Sequence, residues 1–201
     1  NKLKELYNAP QNGNPDICHI HNWIPLISPS VFSVCKEYKI PIVQTLHSYR
    51  YNCPKSSFYR NEKICFECVN EKSYKPAIKY KCYRNSFLQS YLIAKLLKNN
   101  YSKILDSIGV FICPSNFIKG LCKELGFPSA KLKVKSNFLS EDPGAGANFE
   151  DYFLFVGRFE ERKGARVLLK TFENQSSNNI IILGERIYKM NSPPKNMKFK
   201  E

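Results

Sequence analysis

The clearest chemical motif is a short run of cations and glycines that follows an apolar stretch. In YFLFVGRFEERKG, residues 152–164, a segment typical of a strand leads into Gly157 and Arg158, and Lys163 and Gly164 come where a helix is predicted to begin. A helix N-terminus offers N–H groups and a partial positive charge, and Arg and Lys both bind phosphate oxygens. The motif predicts a phosphate site, and a solvated charged turn is the alternative.

Four cysteines lie together in one polar segment. Cys65 and Cys68 form a C-x-x-C pair, and Cys53 and Cys82 stand at loop-length spacing on either side. Four thiolates suit a tetrahedral zinc ion, and a long loop with little apolar content needs such a staple to be ordered. The spacing therefore favours a structural zinc site, with two disulfides or free thiols as the alternatives.

Polar side chains follow two segments predicted as buried strands. His19 and Asn22 belong to DICHIHN, and His47 follows the apolar run IPIVQTL. Open parallel sheets bind ligands at the carboxyl ends of their strands, so these side chains are candidate site residues. For His19 and His21, a strand-end position with hydrogen bonds to the backbone is an equally good interpretation.

Lysine, arginine and tyrosine alternate in YKPAIKYKCYRNSF, residues 74–87, directly before a predicted amphipathic helix. Such a surface could bind nucleic acid through phosphate contacts and base stacking. A basic amphipathic helix could instead dock on an anionic membrane. The third interpretation is a helix packed on the core with solvated lysines, and the sequence leaves all three open.

The composition is that of a folded, strongly basic protein. Of its 201 residues, 31 are Lys or Arg and 17 are Asp or Glu, and 43% are hydrophobic, which excludes wholesale disorder. The pI near 9.4 indicates a polyanionic partner such as nucleic acid, acidic lipid or a phosphorylated substrate. No apolar run approaches the roughly 20 residues that span a bilayer.

The remaining cysteines lie singly in apolar stretches, which indicates buried thiols rather than a disulfide framework. Unpaired buried thiols favour a reducing compartment, so the cytoplasm is predicted. These four cysteines are Cys18, Cys35, Cys113 and Cys122.

Apolar runs alternate with helical stretches, which predicts a parallel α/β architecture with strands buried on both faces. Strands are expected at 16–20, 40–46, 110–113, 131–137, 152–157 and 179–184. Helices are expected from a Ser28 cap to about residue 38, from Asn85 or Ser86, from a Ser115 cap to Gly126, and over 163–173. A long loop is expected at about 48–84.

The stretch EDPGAGANFED, residues 141–151, has the composition of a linker. It predicts two Rossmann-like lobes, 1–140 with a Cys-rich insertion at about 48–84, and 141–201. The second is too short for a complete doubly wound domain, so it is predicted to be truncated.

Five motifs in order, DICHIHN, PIVQTLHSY, CPSNF, KSNF and YFLFVGRFEERKG, resemble family 4 (group 1) glycosyltransferases, from about Pro15 to Gly184. These are retaining nucleotide-sugar enzymes of the two-lobed GT-B fold. The resemblance implies an acceptor-side lobe followed by a donor-side lobe. It also implies a chain that is incomplete at both ends, because the family's Gly-rich first turn would precede Asn1 and its Glu-rich segment has no counterpart after Glu201.

The resemblance assigns roles to the candidate residues. Gly157, Arg158 and Lys163 match the segment that grips the donor diphosphate, and Arg162 stands where the family usually has Glu. His47 matches the catalytic histidine that faces the donor sugar.

Two other positions follow from the same comparison of motifs. His19 and Asn22 would lie on the acceptor side. Ser48 follows His47 where the family commonly has Asp.

The function thus implied is retaining transfer of a sugar from a nucleotide-sugar donor to a glycan or lipid-linked acceptor, as in polysaccharide biosynthesis. Cations at the departing diphosphate can act without a catalytic metal, so structural zinc is the only cofactor predicted. The enzyme is expected in the cytoplasm, with a possible peripheral contact at the inner, anionic face of the membrane, and with no nucleic-acid partner. The alternative is a zinc-stapled basic binding module for nucleic acid.

Overall fold

The computed structural model describes residues 15–25, 27–144, 146, 150–175, 177–190 and 192–200. These residues form two compact units. The first contains the described residues up to Leu139 except Asn61–Lys63, and the second contains Asn61–Lys63 with the described residues from Ser140 onward. The predicted linker, 141–151, lies partly outside the described residues.

The first unit is a mixed α/β structure. In chain order it contains β1 (Cys18–Ile20), α1 (Ser30–Glu37), β2 (Ile42–Thr45), β3 (Tyr59–Arg60), β4 (Lys63–Ile64, of which Lys63 is assigned to the second unit), α2 (Glu67–Asn70), α3 (Lys75–Lys79), α4 (Phe87–Ser107), β5 (Val110–Cys113), α5 (Asn116–Glu124), a 3-10 turn (Ser129–Lys131) and β6 (Leu132–Val134).

The main sheet of this unit has four strands in the order β1-β2-β5-β6, and every pair is parallel. This confirms the predicted parallel α/β class. Buried residues from all four strands, Ile20, Ile42, Phe111 and Leu132, form one cluster with the inner face of α4. Burial of these apolar side chains is the main source of stability for strands of three or four residues.

Two of the predicted helix caps are confirmed and one is wrong. Ser86 Oγ accepts from the Gln89 N–H and Ser115 Oγ from the Ile118 N–H, each at 3.3 Å. Ser28, by contrast, does not cap α1: the helix begins after Pro29 and no described side chain caps it. The Ser28 hydroxyl instead accepts from the Ser30 N–H at 3.2 Å.

The segment predicted as a long loop, about 48–84, contains two short strands and two short helices. It is held to the main sheet through Tyr51, which is buried and whose hydroxyl donates to Gln44 Oε1 at 2.5 Å. The Tyr74 hydroxyl donates in turn to the Tyr51 carbonyl at 2.5 Å. The insertion, residues 48–84, therefore packs against the main sheet and is not a loop that extends into solvent.

The single cysteines behave largely as predicted. Cys35, Cys113 and Cys122 are buried, whereas Cys18 is only half-buried, because it lies on β1 at the edge of the sheet. All eight cysteines, each within the described part of the chain, are free thiols.

The second unit is a smaller parallel sheet. It contains β7 (Phe153–Val156), a 3-10 turn (Glu161–Lys163), α6 (Ala165–Glu173), β8 (Ile180–Leu183) and β9 (Met197–Lys200), with the strand order β7-β8-β9. Phe159, Leu169 and Ile182 form its buried core.

The sequence pattern does not predict β9, and one expectation for this unit is wrong. The strand at 152–157 was expected to be buried, yet most of its side chains, including Phe153 and Val156, are exposed. The reason is its position, since β7 forms the edge of the sheet and no described strand lies beyond it.

Two glycines allow the ends of β7 and β8 to approach each other closely. Gly157 N–H donates to the Leu183 carbonyl at 2.9 Å. Gly184, with φ of 131°, is so close that a Cβ built on it would lie 2.6 Å from the Gly157 carbonyl oxygen. This contact fixes the backbone from which Arg158 projects.

Replacing Gly184 by alanine should destabilise the second unit by about 2–4 kcal/mol, because it combines a strained φ with a clash against backbone. Gly164→Ala is the matched control: its φ is 87°, but a Cβ there would meet no described atom within 4 Å, so its cost should be about 1 kcal/mol. Urea unfolding, with hydrogen exchange at the β8 amides, measures both. Equal costs for the two variants would show that the close approach is not a constraint.

Candidate functional site

The carboxyl edge of the main sheet brings the predicted strand-end residues together. β1 and β2 are parallel neighbours, with His19 opposite Val43, so the residues that follow each strand emerge at the same edge. His21 and Asn22 follow β1, and His47 follows β2 two residues after Thr45.

Three histidines form a continuous group at this edge. His21 Nδ1 lies 2.8 Å from His47 Nε2, a hydrogen bond between the two rings. His19 Nε2 lies 2.8 Å from Thr45 Oγ1, and its ring centroid is 4.3 Å from that of His21. His19 and His47, selected from the sequence, are therefore brought together by a third histidine.

His21 was not selected as a site residue from the sequence. The signal that could have found it is its spacing from His19. Residues two apart on an extended strand point to the same face, so the H-x-H pattern places both rings on one side of β1. The partner of His21, in contrast, lies 26 residues further along the chain.

The local environment favours neutral imidazoles. Burial lowers the pKa of His47, and the neighbouring His21 lowers it further. Burial also lowers the pKa of His19, followed by the effects of His21, Lys135 and His47. Because these shifts are downward from 6.5, both rings are mainly uncharged at neutral pH and can accept a hydrogen bond.

Two cavities border His47. The larger, of about 310 Å³, is lined by polar residues that include Ser48 and Asn137 and by apolar residues that include Ile118. The smaller, of about 20 Å³, contains Asn22 beside His21 and His47. The arrangement suits a polar ligand of modest size whose hydroxyl groups need both donors and acceptors.

The predicted phosphate motif belongs to the second unit. Arg158 and Lys163 are both exposed. The Glu160 carboxylate lies between two arginines: its Oε1 is 3.4 Å from the Arg158 guanidinium and 3.0 Å from the Arg162 guanidinium. An anion that binds Arg158 must therefore compete with this carboxylate.

The expectation of free backbone N–H groups at this turn is partly wrong. The Lys163 and Ala165 N–H groups donate to the Glu160 carbonyl, and the Gly164 N–H donates to the Glu161 carbonyl. These N–H groups are already hydrogen-bonded because the turn folds as a 3-10 helix ahead of α6, and carbonyl groups of the turn itself accept from them. The side chains of Arg158 and Lys163, rather than these amides, are left for a ligand.

The four clustered cysteines line one cavity of about 20 Å³ together with Arg60. Burial raises the pKa of the Cys68 thiol to about 12, with smaller effects from the other three thiols. Arg60 lies 3.7 Å above the Tyr80 ring and ion-pairs with Glu67. Its Nε is buried and has no hydrogen-bond partner among the described residues.

These thiols share a cavity but are not positioned as a coordination shell. Within the described ranges, no group of three or more His, Cys, Asp or Glu side chains is arranged to hold a metal ion.

The tyrosines of the basic segment 74–87 are mostly engaged within the fold. Tyr74 and Tyr83 pack against the core, and Arg50 and Arg84 lie 5.4 and 5.5 Å from the Tyr83 ring centroid. Rings held in this way offer little free face for stacking on bases. Four exposed apolar side chains follow at the start of α4: Phe87, Leu88, Tyr91 and Leu92.

Comparison with known proteins agrees with the geometry of the first unit. The sequence model of Glycosyltransferase Family 4 matches residues 2–142, which include the main sheet and all three histidines. The motif around Arg158 lies outside the matched region. The chain matches no curated protein. Since the family model covers well over half of the sequence, the chain belongs to glycosyltransferase family 4.

Proposed function

We propose that the protein is a retaining glycosyltransferase that moves a sugar from a nucleotide-sugar donor to a glycan or lipid-linked acceptor. The observation that carries the proposal is the position of His47. It stands at the carboxyl edge of a sheet in a family 4 domain and borders a cavity of about 310 Å³. Ligands bind at this edge in open α/β sheets.

The proposed step exchanges one bond at the sugar's anomeric carbon for another. The bond to the diphosphate oxygen breaks, and a bond to the acceptor hydroxyl oxygen forms on the same face. The diphosphate oxygen leaves with the bonding electron pair, and it takes up the proton that the acceptor hydroxyl loses. Negative charge therefore develops on the diphosphate, and the principal need is to stabilise it.

Arg158 and Lys163 are proposed to meet that need. Arg supplies a planar fork that can bind two phosphate oxygens, and Lys supplies a compact charge. Binding of the diphosphate would release Arg158 from Glu160, which lies 3.4 Å away. The Gly157 backbone, held by its contact with Gly184, sets the starting point of the Arg158 side chain.

His47 is proposed to contact the donor sugar. It is neutral at pH 7 because its pKa is lowered, so it can accept a hydrogen bond from a sugar hydroxyl without adding a charge. His19 and Asn22 are proposed to lie on the acceptor side.

The exposed start of α4 is proposed as a surface that contacts anionic membrane. Phe87 and Leu88 are 59% and 63% exposed, and Tyr91 and Leu92 lie on the next turn. Lys81 and Arg84 precede this apolar face and Lys95 follows it. No helix in the described residues has the length and apolar content that crossing a bilayer requires. Such a face could bring the enzyme to a lipid-linked acceptor by adsorption alone.

A structural zinc ion in the Cys-rich insertion remains a proposal from the spacing of its cysteines. What supports it is that Cys53, Cys65, Cys68 and Cys82 line one cavity and that Arg60 stands beside them with a buried, unpartnered Nε. A cation with an unused donor fits beside a doubly negative tetrathiolate centre. The thiol side chains must reorient to coordinate a metal, since no described group is arranged for it.

Membership of a transferase family favours this function over the alternative, a zinc-stapled basic module for nucleic acid. The engaged tyrosines of the basic segment also argue against base stacking.

If Arg158 and Lys163 grip the diphosphate, UDP, GDP or ADP should bind the protein, and Arg158→Ala or Lys163→Ala should weaken binding at least about tenfold, or about 1.4 kcal/mol. Calorimetry with each nucleotide at constant ionic strength measures this. Transfer from the corresponding nucleotide sugars by the product of the complete reading frame should fall in the same variants.

Arg162→Ala is the matched control, because it removes the same charge from the same turn and the same Glu160 partner. Its effect on affinity should be small. Glu160→Gln should strengthen binding by freeing Arg158. If Arg162→Ala lowered the affinity for the nucleotide as much as Arg158→Ala, binding would depend only on general charge attraction. That result would contradict the assigned roles.

Anionic vesicles of phosphatidylcholine and phosphatidylglycerol should co-sediment with the protein, pure phosphatidylcholine vesicles should not, and high salt should release it. Leu88→Ser with Leu92→Ser should weaken binding, because both side chains leave water on adsorption. Phe117→Ser, at an even more exposed apolar position on α5, is the control. Equal binding to both vesicle types, or to neither, would remove the membrane contact.

Protein purified without added metal should contain about one zinc ion per chain by elemental analysis. Cys68→Ser should lower that content, whereas Cys122→Ser, at a buried cysteine outside the cluster, should not. Zinc near zero with all eight thiols titratable would overturn the zinc proposal.

A further inference from the structure

The contact between His21 and His47 has the geometry of a well-aligned hydrogen bond. The two ring planes are 16° apart, and their centroids are 5.1 Å apart. With the bonded nitrogens at 2.8 Å, the centroid separation equals the N···N distance plus about two ring radii. Both nitrogens therefore lie on the line that joins the centroids. The rings meet edge to edge, and each nitrogen directs its lone pair or its hydrogen at the other.

The backbone and the neighbouring ring hold this pair in place. β1 and β2 are paired in parallel, so the residues after them are presented side by side. The His19 ring packs 4.3 Å from the His21 ring and is itself bonded to Thr45 on β2. The orientation of His21 is thus set from both strands.

We infer that His21 is a positioning residue for His47, which fixes the ring by binding its Nε2 and leaves its Nδ1 for a ligand. This inference rests on the proposed function, in which His47 contacts the donor sugar. One ring of the pair donates and the other accepts, so the bond also restricts the tautomers of both rings. Fixing a catalytic imidazole in one orientation is worth orders of magnitude in rate when a reacting group must be held within a fraction of an ångström.

The charges around the pair determine how it takes up protons. The groups near it are His19 and Thr45, which are bonded to each other, Arg50, which lines the small cavity that His21 and His47 share, and Lys135, which lies close enough to His19 to lower its pKa. Three of these are cationic or can become so, and none is a carboxylate. Two protonated rings would place two N–H groups against each other at 2.8 Å. The pair can keep its bond with one added proton but not with two, so protonation of both rings must break it.

The test is NMR of the histidine ring nitrogens in the full chain, as a function of pH. In the wild-type protein His47 should show one dominant tautomer with Nε2 engaged, and its pKa should lie below 6.5, because burial and the neighbouring His21 both lower it. His21→Phe should give a mixture of tautomers for His47, and the pKa of His47 should rise but stay below 6.5, because burial still lowers it.

Two amide variants distinguish the positioning of His47 from the effect of side-chain volume at position 21. His21→Asn places a polar atom near the position of Nδ1 and should restore the wild-type tautomer of His47, whereas His21→Gln, whose amide reaches the position of Nε2, should not. Sugar transfer should fall at least about tenfold in the Phe and Gln variants and recover in the Asn variant.

An unchanged His47 tautomer and an unchanged titration in His21→Phe would overturn the inference. Absence of transfer in the wild-type product of the complete reading frame would overturn the proposed function instead, while the ring-nitrogen signals would still decide whether His21 positions His47.

Discussion

Parallel pairing of β1, β2, β5 and β6 is the constraint on which the candidate site depends. Each strand has only three or four residues, so its register is fixed by few hydrogen bonds and by the burial of alternate side chains. Because all four run in one direction, their carboxyl ends meet at a single edge. A slip of one residue in β2 would turn Thr45 and His47 to the opposite face and separate them from His19 and His21.

Much of this fold could be predicted from local sequence. Ser86 and Ser115 indicate where their helices begin, because an N-cap is a local interaction. Apolar β-branched runs indicate strands, because both faces of the sheet are covered. β9 was missed because its sequence, MKFK, alternates apolar and charged residues over only four positions. The helices and strands of the insertion were missed for a related reason, since elements of two to five residues carry no measurable periodicity.

The site was predictable in its members but not in its contacts. Strand ends can be read from sequence, so His19, Asn22 and His47 could be chosen in advance. The bond between His21 and His47 depends on the register of two strands and on two side-chain rotamers, which no local pattern encodes. Glu160 is similar: its carboxylate is visible in the sequence beside Arg158 and Arg162, but only the backbone turn shows that it lies between them.

The hydrogen-bond chain from Tyr74 through Tyr51 to Gln44 has a consequence for how this protein can vary. Gln44 is a buried amide in β2, next to the edge strand β1, and among the described residues it is Tyr51, near the start of the insertion, that donates to its oxygen. Deleting the first residues of the insertion would leave the buried Gln44 oxygen without a hydrogen-bond donor, which costs more free energy than losing the bond itself. The insertion therefore supports the sheet, so natural or engineered changes in its length should be tolerated only where they leave Tyr51 and Tyr74 in place.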